Sequence, residues 1–153
     1  MSTAYRQGLF TFAAGELDWA DAVDADVKIV PMNSSYIVDK DAHAFMDNIA
    51  ITANIYSGVT AISIPSAQRS LDIAASGKCR LKVSGTVTFP SVAVDGTKTI
   101  PGFLVFKDTA VAATSPVIGY LLRSGGALLP NGNNIDVTFD GVSGALELTG
   151  NSI

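Results

Sequence analysis

Five carboxylates lie within the eleven residues from Glu16 to Asp26, the densest cluster of charge in the chain. EF-hand loops bind Ca²⁺ through oxygen ligands at fixed offsets and need a glycine at the turn. Here the carboxylates fall at offsets 0, 2, 5, 8 and 10, and the segment contains no glycine. A glycosidase also uses a pair of carboxylates, but any acidic loop meets that criterion. We therefore interpret residues 16–26 as a solvated acidic loop without a metal, anchored on the core by Trp19.

His43 is the single histidine, so a catalytic triad would have to use it. It lies four residues after Asp39 and four before Asp47, and both carboxylates reach it if the segment is helical. A general base also needs a nucleophile nearby, and the chain contains no G-x-S-x-G motif. Cys79, the single cysteine, has no accompanying cysteine–histidine signature. Both residues are interpreted as structural, and we expect neither enzymatic activity nor a cofactor.

Composition limits the classes of partner. Of the 153 residues, 48% are hydrophobic and only 16% are charged, against about 25% in an average domain. The net charge of −4 argues against nucleic acid as the main partner. No apolar run approaches the ~18 residues of a membrane helix, so no membrane contact is expected. A surface with so little charge is typical of a chain that buries part of it against other chains.

The elements that must position these residues are mainly short strands. Cys79 to Phe89 alternates apolar and polar residues with period two, and Asn134 to Asp140 repeats that pattern. Such alternation predicts antiparallel strands with one wet face. Turn sequences rich in Gly, Asn and Asp separate about eight such segments. We therefore predict one domain over residues 1–153, a mainly β, antiparallel sandwich of jelly-roll type.

Two segments lack a polar face. Phe103–Phe106 and Val117–Leu122 are apolar on both sides, which is typical of strands covered by a second layer or by a neighbouring subunit. The second alternative defines a candidate interface between subunits. Its predicted members are Phe103, Val105, Val117, Ile118, Tyr120 and Leu122.

One short helix is predicted near residues 40–49. Asp39 suits the N-cap, and an apolar stripe follows at helical spacing, formed by Ala42, Phe45, Met46 and Ile49. Residues 9–14 are short for the apolar core of a signal peptide, so we interpret them as a strand and expect synthesis in a cytoplasm.

Several segments also occur in a recognisable order. They are Tyr5, Gly15, Asp18-Trp19, Asp26-Val27-Lys28, Ala42–Asp47, Phe106–Thr109, Ala112–Tyr120 and Leu129–Asp140. The strongest match is Phe106–Thr109 followed by Ala112–Tyr120, and it continues in Leu129–Asp140, which is similar to the motif T-P-N-G-G-x-I-T-V-x-W-D. This ordered set resembles a family of small tailed-bacteriophage structural proteins, of the capsid decoration, cement or head-fibre type.

The resemblance implies a virion protein on the capsid surface, made in the cytoplasm of the bacterial host. Its partner would be the lattice of the major capsid protein, and the subunit would associate with itself as a trimer or dimer. The alternative function is a binding module of the tail or fibre that contacts a host surface glycan. Exposed aromatic residues gathered in one patch would favour that alternative, whereas head genes beside this one would favour decoration.

Overall fold

The computed structural model describes residues 3–20, 27–73, 79–140 and 146–148. Within these ranges the chain forms nine strands and two α-helices, with 3-10 turns at Ser66–Gln68 and Ala112–Thr114. The helices are α1 (Arg6–Ala13) and α2 (Ile49–Thr52). The strands are β1 (Thr3–Ala4), β2 (Val27–Met32), β3 (Ile62–Ser63), β4 (Arg69–Ile73), β5 (Cys79–Phe89), β6 (Gly102–Lys107), β7 (Val117–Leu122), β8 (Ile135–Asp140) and β9 (Leu146–Leu148).

The strands form two antiparallel sheets. The first has the order β1-β7-β6-β2-β3, and the second has the order β4-β5-β8, with β9 also paired to β5. One apolar cluster takes side chains from both sheets, including Ile29 and Val105 from the first and Leu81 and Phe89 from the second. The predicted mainly β class with antiparallel sheets is therefore confirmed.

Period-two alternation identified two strands of the second sheet correctly, β5 and β8. In β5 the side chains of Leu81, Val83, Val87 and Phe89 are buried, whereas Ser84, Thr86 and Thr88 are exposed. β5 spans the residues that the alternation predicts, and β8 differs from its prediction by one residue. The pattern works here because one face of this sheet meets the core and the other meets water.

The first sheet is buried on both faces by the chain itself. Val105 and Ile118 face the cluster between the sheets, while Leu104 and Val117 face a second apolar cluster on the opposite side. Residues of the 33–56 segment complete that second cluster, among them Tyr36, Met46 and Ile51. The sequence leaves two explanations for the apolar strands, a second layer of the same chain or a neighbouring subunit. In the structure the covering layer belongs to the same chain.

The strand predicted at residues 9–14 is wrong, because the chain is helical over α1. Tyr5 donates its backbone N–H to the carbonyl of Ile118, 3.0 Å away, and the chain then turns into the helix along the same edge of β7. A Cβ placed on Gly8 would lie 2.5 Å from Ile118 Cα. The glycine thus lets α1 approach β7 closely, an effect of tertiary packing that alternation of residue types does not encode.

The single helix predicted near residues 40–49 is also wrong in extent. Asp39 Oδ1 accepts from the backbone N–H groups of Asp41 and Ala42, so it caps a turn as expected, but only one turn forms. The backbone then pairs with the start of β7, where the Val117 N–H donates to the Ala44 carbonyl at 2.9 Å. Helix begins only after Asn48, whose side chain accepts from the Ala50 N–H. Pairing with a distant strand outweighs local helix propensity here.

Candidate functional site

A groove of about 530 Å³ opens where the chain crosses from β7 in the first sheet to β8 in the second. Its apolar part includes Phe103, Leu128 and Ile135, two of which also belong to the buried cluster between the sheets. Polar side chains on the surrounding surface are those of Arg123, Ser124, Asn131, Asn133, Asn134, Asp136 and Thr138. An apolar floor with polar groups around it is the usual make-up of a binding groove.

Hydrogen bonds hold the 123–134 loop that forms one wall. Arg123 Nη1 donates to the carbonyls of Gly125 and Gly126, at 3.1 and 2.6 Å. Asn134 Oδ1 accepts from the Ser91 N–H at 3.0 Å, and Gly132 N–H donates to the Val92 carbonyl at 2.9 Å. This wall is therefore fastened to the neighbouring 91–92 loop, and the groove is formed before any partner arrives.

Strand β8 forms the other wall in an unusual way. Four consecutive residues, Ile135 to Thr138, all line the groove. Successive side chains of a strand point to opposite faces of the sheet, so one face cannot present all four. The groove therefore runs along the backbone edge of β8, the last strand in the order β4-β5-β8.

The acidic segment is described as far as residue 20; Asp21, Asp24 and Asp26 lie outside the described residues. Trp19 is fully buried, and its indole N–H donates to the Lys82 carbonyl at 3.0 Å. Arg69, also buried, donates from Nη1 to the Trp19 carbonyl at 2.9 Å. The prediction that Trp19 anchors this segment on the core is confirmed.

His43 is buried beside a group of tyrosines. Its Nδ1 lies 3.0 Å from the Tyr36 hydroxyl, which lies 2.7 Å from the Tyr5 hydroxyl, and the Tyr120 ring packs 5.7 Å from that of Tyr36. Burial raises the pKa of Tyr120 to about 12 and raises the pKa values of Tyr5 and Tyr36 as well. The cluster ties the N-terminal segment and the 33–56 segment to β7, a role in keeping with a structural histidine.

Sequence reasoning missed this tyrosine cluster, because its members are far apart along the chain and follow no shared motif. Tyr5 and Tyr36, for example, are separated by 31 positions. Only the folding of the 33–56 segment over the first sheet brings them together. The same holds for the groove, whose walls come from a loop and a strand edge.

The predicted interface residues are placed differently from expectation. Phe103, Val105, Val117, Ile118 and Tyr120 are between 0 and 5% exposed within the protomer, because the two apolar clusters cover them. Leu122 alone has substantial surface, 49%. The assignment of the five buried residues to a contact between subunits is therefore corrected: they form the core, and Phe103 also borders the groove.

The described residues contain no group of three His, Cys, Asp or Glu side chains that could hold a metal ion. Over the same part of the chain, no helix has the length and apolar character to cross a membrane. Comparison of the chain with protein-family models, curated proteins and solved structures gives no match. What the fold and site define is thus a class, a two-sheet antiparallel β protein with a preformed surface groove.

Proposed function

We propose that the chain is a structural protein of a bacteriophage virion that decorates and stabilises the capsid. The observation that carries this proposal is the apolar surface of the described residues. Eight large hydrophobic side chains are exposed there: Phe10, Ile37, Ile49, Leu71, Val94, Val111, Leu122 and Leu129. The resemblance of the sequence to small phage structural proteins supports the assignment to a virion. The exposed apolar groups support assembly with other proteins.

Ile37 and Ile49 are the strongest members of this set, since each is 81% exposed. Both belong to the 33–56 segment, whose inner side chains complete the second apolar cluster and whose backbone bonds to the edge of β7. The segment is held in place by these contacts. Covering its large aliphatic side chains with another protein would remove apolar surface from water and so lower the free energy of the complex. This surface is therefore our candidate contact with the capsid lattice.

Decoration would stabilise the shell by mass action. A subunit that binds only the expanded lattice lowers the free energy of that lattice and so opposes its disassembly. A specific contact of this kind buries more than ~1,000 Å² in total. Self-association as a trimer or dimer would add to it, because linked weak contacts raise the effective concentration of each.

The test is co-sedimentation of the purified protein with shells from a phage mutant that lacks this gene. We expect the protein to pellet with expanded shells and to raise their melting temperature. The double variant Ile37→Ser/Ile49→Ser should stay in the supernatant while keeping its circular dichroism spectrum. Val94→Ser removes an exposed apolar group from the 90–99 loop and serves as the control, with binding retained. Wild-type protein that stays unbound, or that labels only the tail tip, would exclude decoration.

The groove favours a second candidate, a tail or fibre module that binds a host surface glycan. The side chains of Ser124, Asn133 and Asp136 present polar groups around its apolar floor. Titration with host surface polysaccharide separates the two functions. Saturable binding that Asp136→Ala abolishes, without any binding to shells, would support the glycan module.

A further inference from the structure

The groove borders a strand edge that no other described strand occupies. β8 pairs through one edge with β5, in the register from Ser84 opposite Asp140 to Phe89 opposite Ile135. In an antiparallel pair, every second residue directs its N–H and C=O groups away from the partner strand. The outer edge of β8 therefore presents donors and acceptors along the groove, and such an edge is a template for another strand.

Apolar side chains at this edge are incompletely covered. Val137 is half-buried, although its cross-strand partner Val87 is only 3% exposed. Phe139, two residues further along the same face, is also half-buried. Both pack against the cluster between the sheets, so they face inward although they are incompletely covered. A strand added there would cover them with its own apolar residues.

The opposite face of β8 is polar and acidic. Thr138 Oγ1 lies 3.1 Å from Thr86 Oγ1, and Thr88 Oγ1 donates to Asp136 Oδ1 at 2.6 Å. Side chains of an added strand on this face would lie beside Asp136 and Thr138. A cation or a hydroxyl group fits those neighbours, whereas a carboxylate would be repelled by Asp136.

We propose that the outer edge of β8 is a strand-addition site for an extended peptide segment of a partner protein. The segment carries apolar residues at alternate positions and a Lys or Arg that pairs with Asp136. Main-chain hydrogen bonds supply affinity, and the two alternating faces supply specificity, as in other cases of strand addition. The four residues that line the groove span about 13 Å, which is room for a short peptide at about 3.3 Å per residue.

Two other occupants fit less well. A second copy of β8 paired across a two-fold axis would bring two Asp136 carboxylates onto the same face of one short ladder, which like-charge repulsion disfavours. A glycan needs free polar side chains, but Asn131 Oδ1 and Asn134 Oδ1 already accept from the backbone N–H groups of Asn133 and Ser91. The outer edge of β8, which no other described strand occupies, matches a peptide better than either.

This inference goes beyond the virion role and does not depend on it. The probe is the synthetic peptide acetyl-Thr-Val-Lys-Val-Thr-Val-Lys-amide, titrated into the full chain while backbone amide exchange is followed by NMR. We expect saturable binding and exchange at least about tenfold slower at the outward-facing amides of residues 135–140. The same peptide with N-methyl groups at alternate amides keeps its side chains but loses one bonding edge, and it should not bind.

Charge reversal at the site provides the second arm. Asp136→Lys should weaken the lysine peptide at least about tenfold and should favour the same peptide with Glu in place of Lys. Asp47→Lys makes the same charge change at an exposed residue outside the groove, so its affinity should equal that of the wild type. Equal losses of peptide affinity in both variants would mean that only the net charge of the protein matters, and they would overturn the proposed site.

Two further results would overturn the proposal. One is peptide binding without protection of residues 135–140. The other is a groove that binds host polysaccharide and ignores the peptide, which would assign it to the glycan module. Shell binding is measured separately, with Ile37→Ser/Ile49→Ser, so failure of the peptide and failure of decoration are distinguishable.

Discussion

The indole N–H of Trp19 donates a hydrogen bond to the backbone carbonyl of Lys82, in the middle of β5, across 3.0 Å. The bond joins the segment that follows α1 to the second sheet, and the ring is fully buried. Native Trp fluorescence should therefore be blue-shifted and move to the red on denaturation. Trp19→Phe keeps an aromatic ring but loses the bond, and it should cost about 1–3 kcal/mol of unfolding free energy, measured in urea. Solvent-like emission from the native protein would contradict the anchor.

Gly8 tests the close approach of α1 to β7. Alanine is the better helix former by about 1 kcal/mol, so propensity alone predicts that Gly8→Ala stabilises the protein. The added Cβ would instead meet Ile118 Cα at 2.5 Å, so we expect a net loss of about 1–3 kcal/mol in urea unfolding. Gly125→Ala, where the nearest atoms belong to the flexible Arg123 side chain, is the control and should change little. A stabilising Gly8→Ala would show that the helix stands further from the strand.

Substitutions at Ile118 and Leu122 test whether β7 is a strand of the protein core or a strand of a contact between subunits. Ile118 is 1% exposed and Leu122 is 49% exposed, although both belong to β7. Ile118→Ala should lower the unfolding free energy by about 2–5 kcal/mol, because it leaves a cavity in the core. Leu122→Ala should change it by no more than about 0.5 kcal/mol. The loss in Ile118→Ala should be the same at all protein concentrations; a loss that shrinks on dilution, where a partner would dissociate, would mean that Ile118 is buried by a partner.

The buried tyrosines predict sensitivity to alkaline pH. An exposed phenol has a pKa of about 10, and burial holds the pKa values of Tyr5, Tyr36 and Tyr120 above that value in the folded protein. Above pH ~10 the unfolded chain releases protons that the folded chain keeps, so the free energy of unfolding falls as pH rises. The expected slope approaches about 1.4 kcal/mol per pH unit for each phenol that stays neutral.

Urea unfolding at several pH values between 8 and 11, with tyrosine absorbance at 295 nm, measures this slope. Tyr120→Phe removes one of the three phenols, and its hydroxyl donates to no described residue. The unfolding free energy of this variant should therefore fall less steeply with pH than that of the wild type. At pH 7 the two proteins should have nearly the same unfolding free energy. Titration of Tyr5, Tyr36 and Tyr120 near pH 10 in the folded protein would contradict the burial effect.

Removal of divalent cations should leave the protein unchanged. The carboxylates of residues 16–26 lack the spacing of a calcium loop, and the described side chains form no three-ligand group. EDTA should therefore shift the melting temperature by no more than about 2 °C. A fall of ~5 °C or more would mean that a cation contributes to folding.

The sequence by itself determined two strands of the second sheet and the limits of one strand of the first. β5 and β8 follow from period-two alternation, because each has one face in the core and one in water, a difference that residue types record directly. The limits of β7 also follow from its apolar run. In each case the signal lies within the strand and its flanking turns, so neighbouring residues are enough to read it.

Tertiary structure alone decided what covers the apolar strands, where the helices lie and where the groove opens. Val117 and Tyr120 look the same in the sequence whether the 33–56 segment or another chain covers them. α1 depends on the approach of Gly8 to Ile118, and the groove depends on a loop held beside the edge of β8. These features arise from contacts between residues far apart in the chain, which local propensity and periodicity do not record.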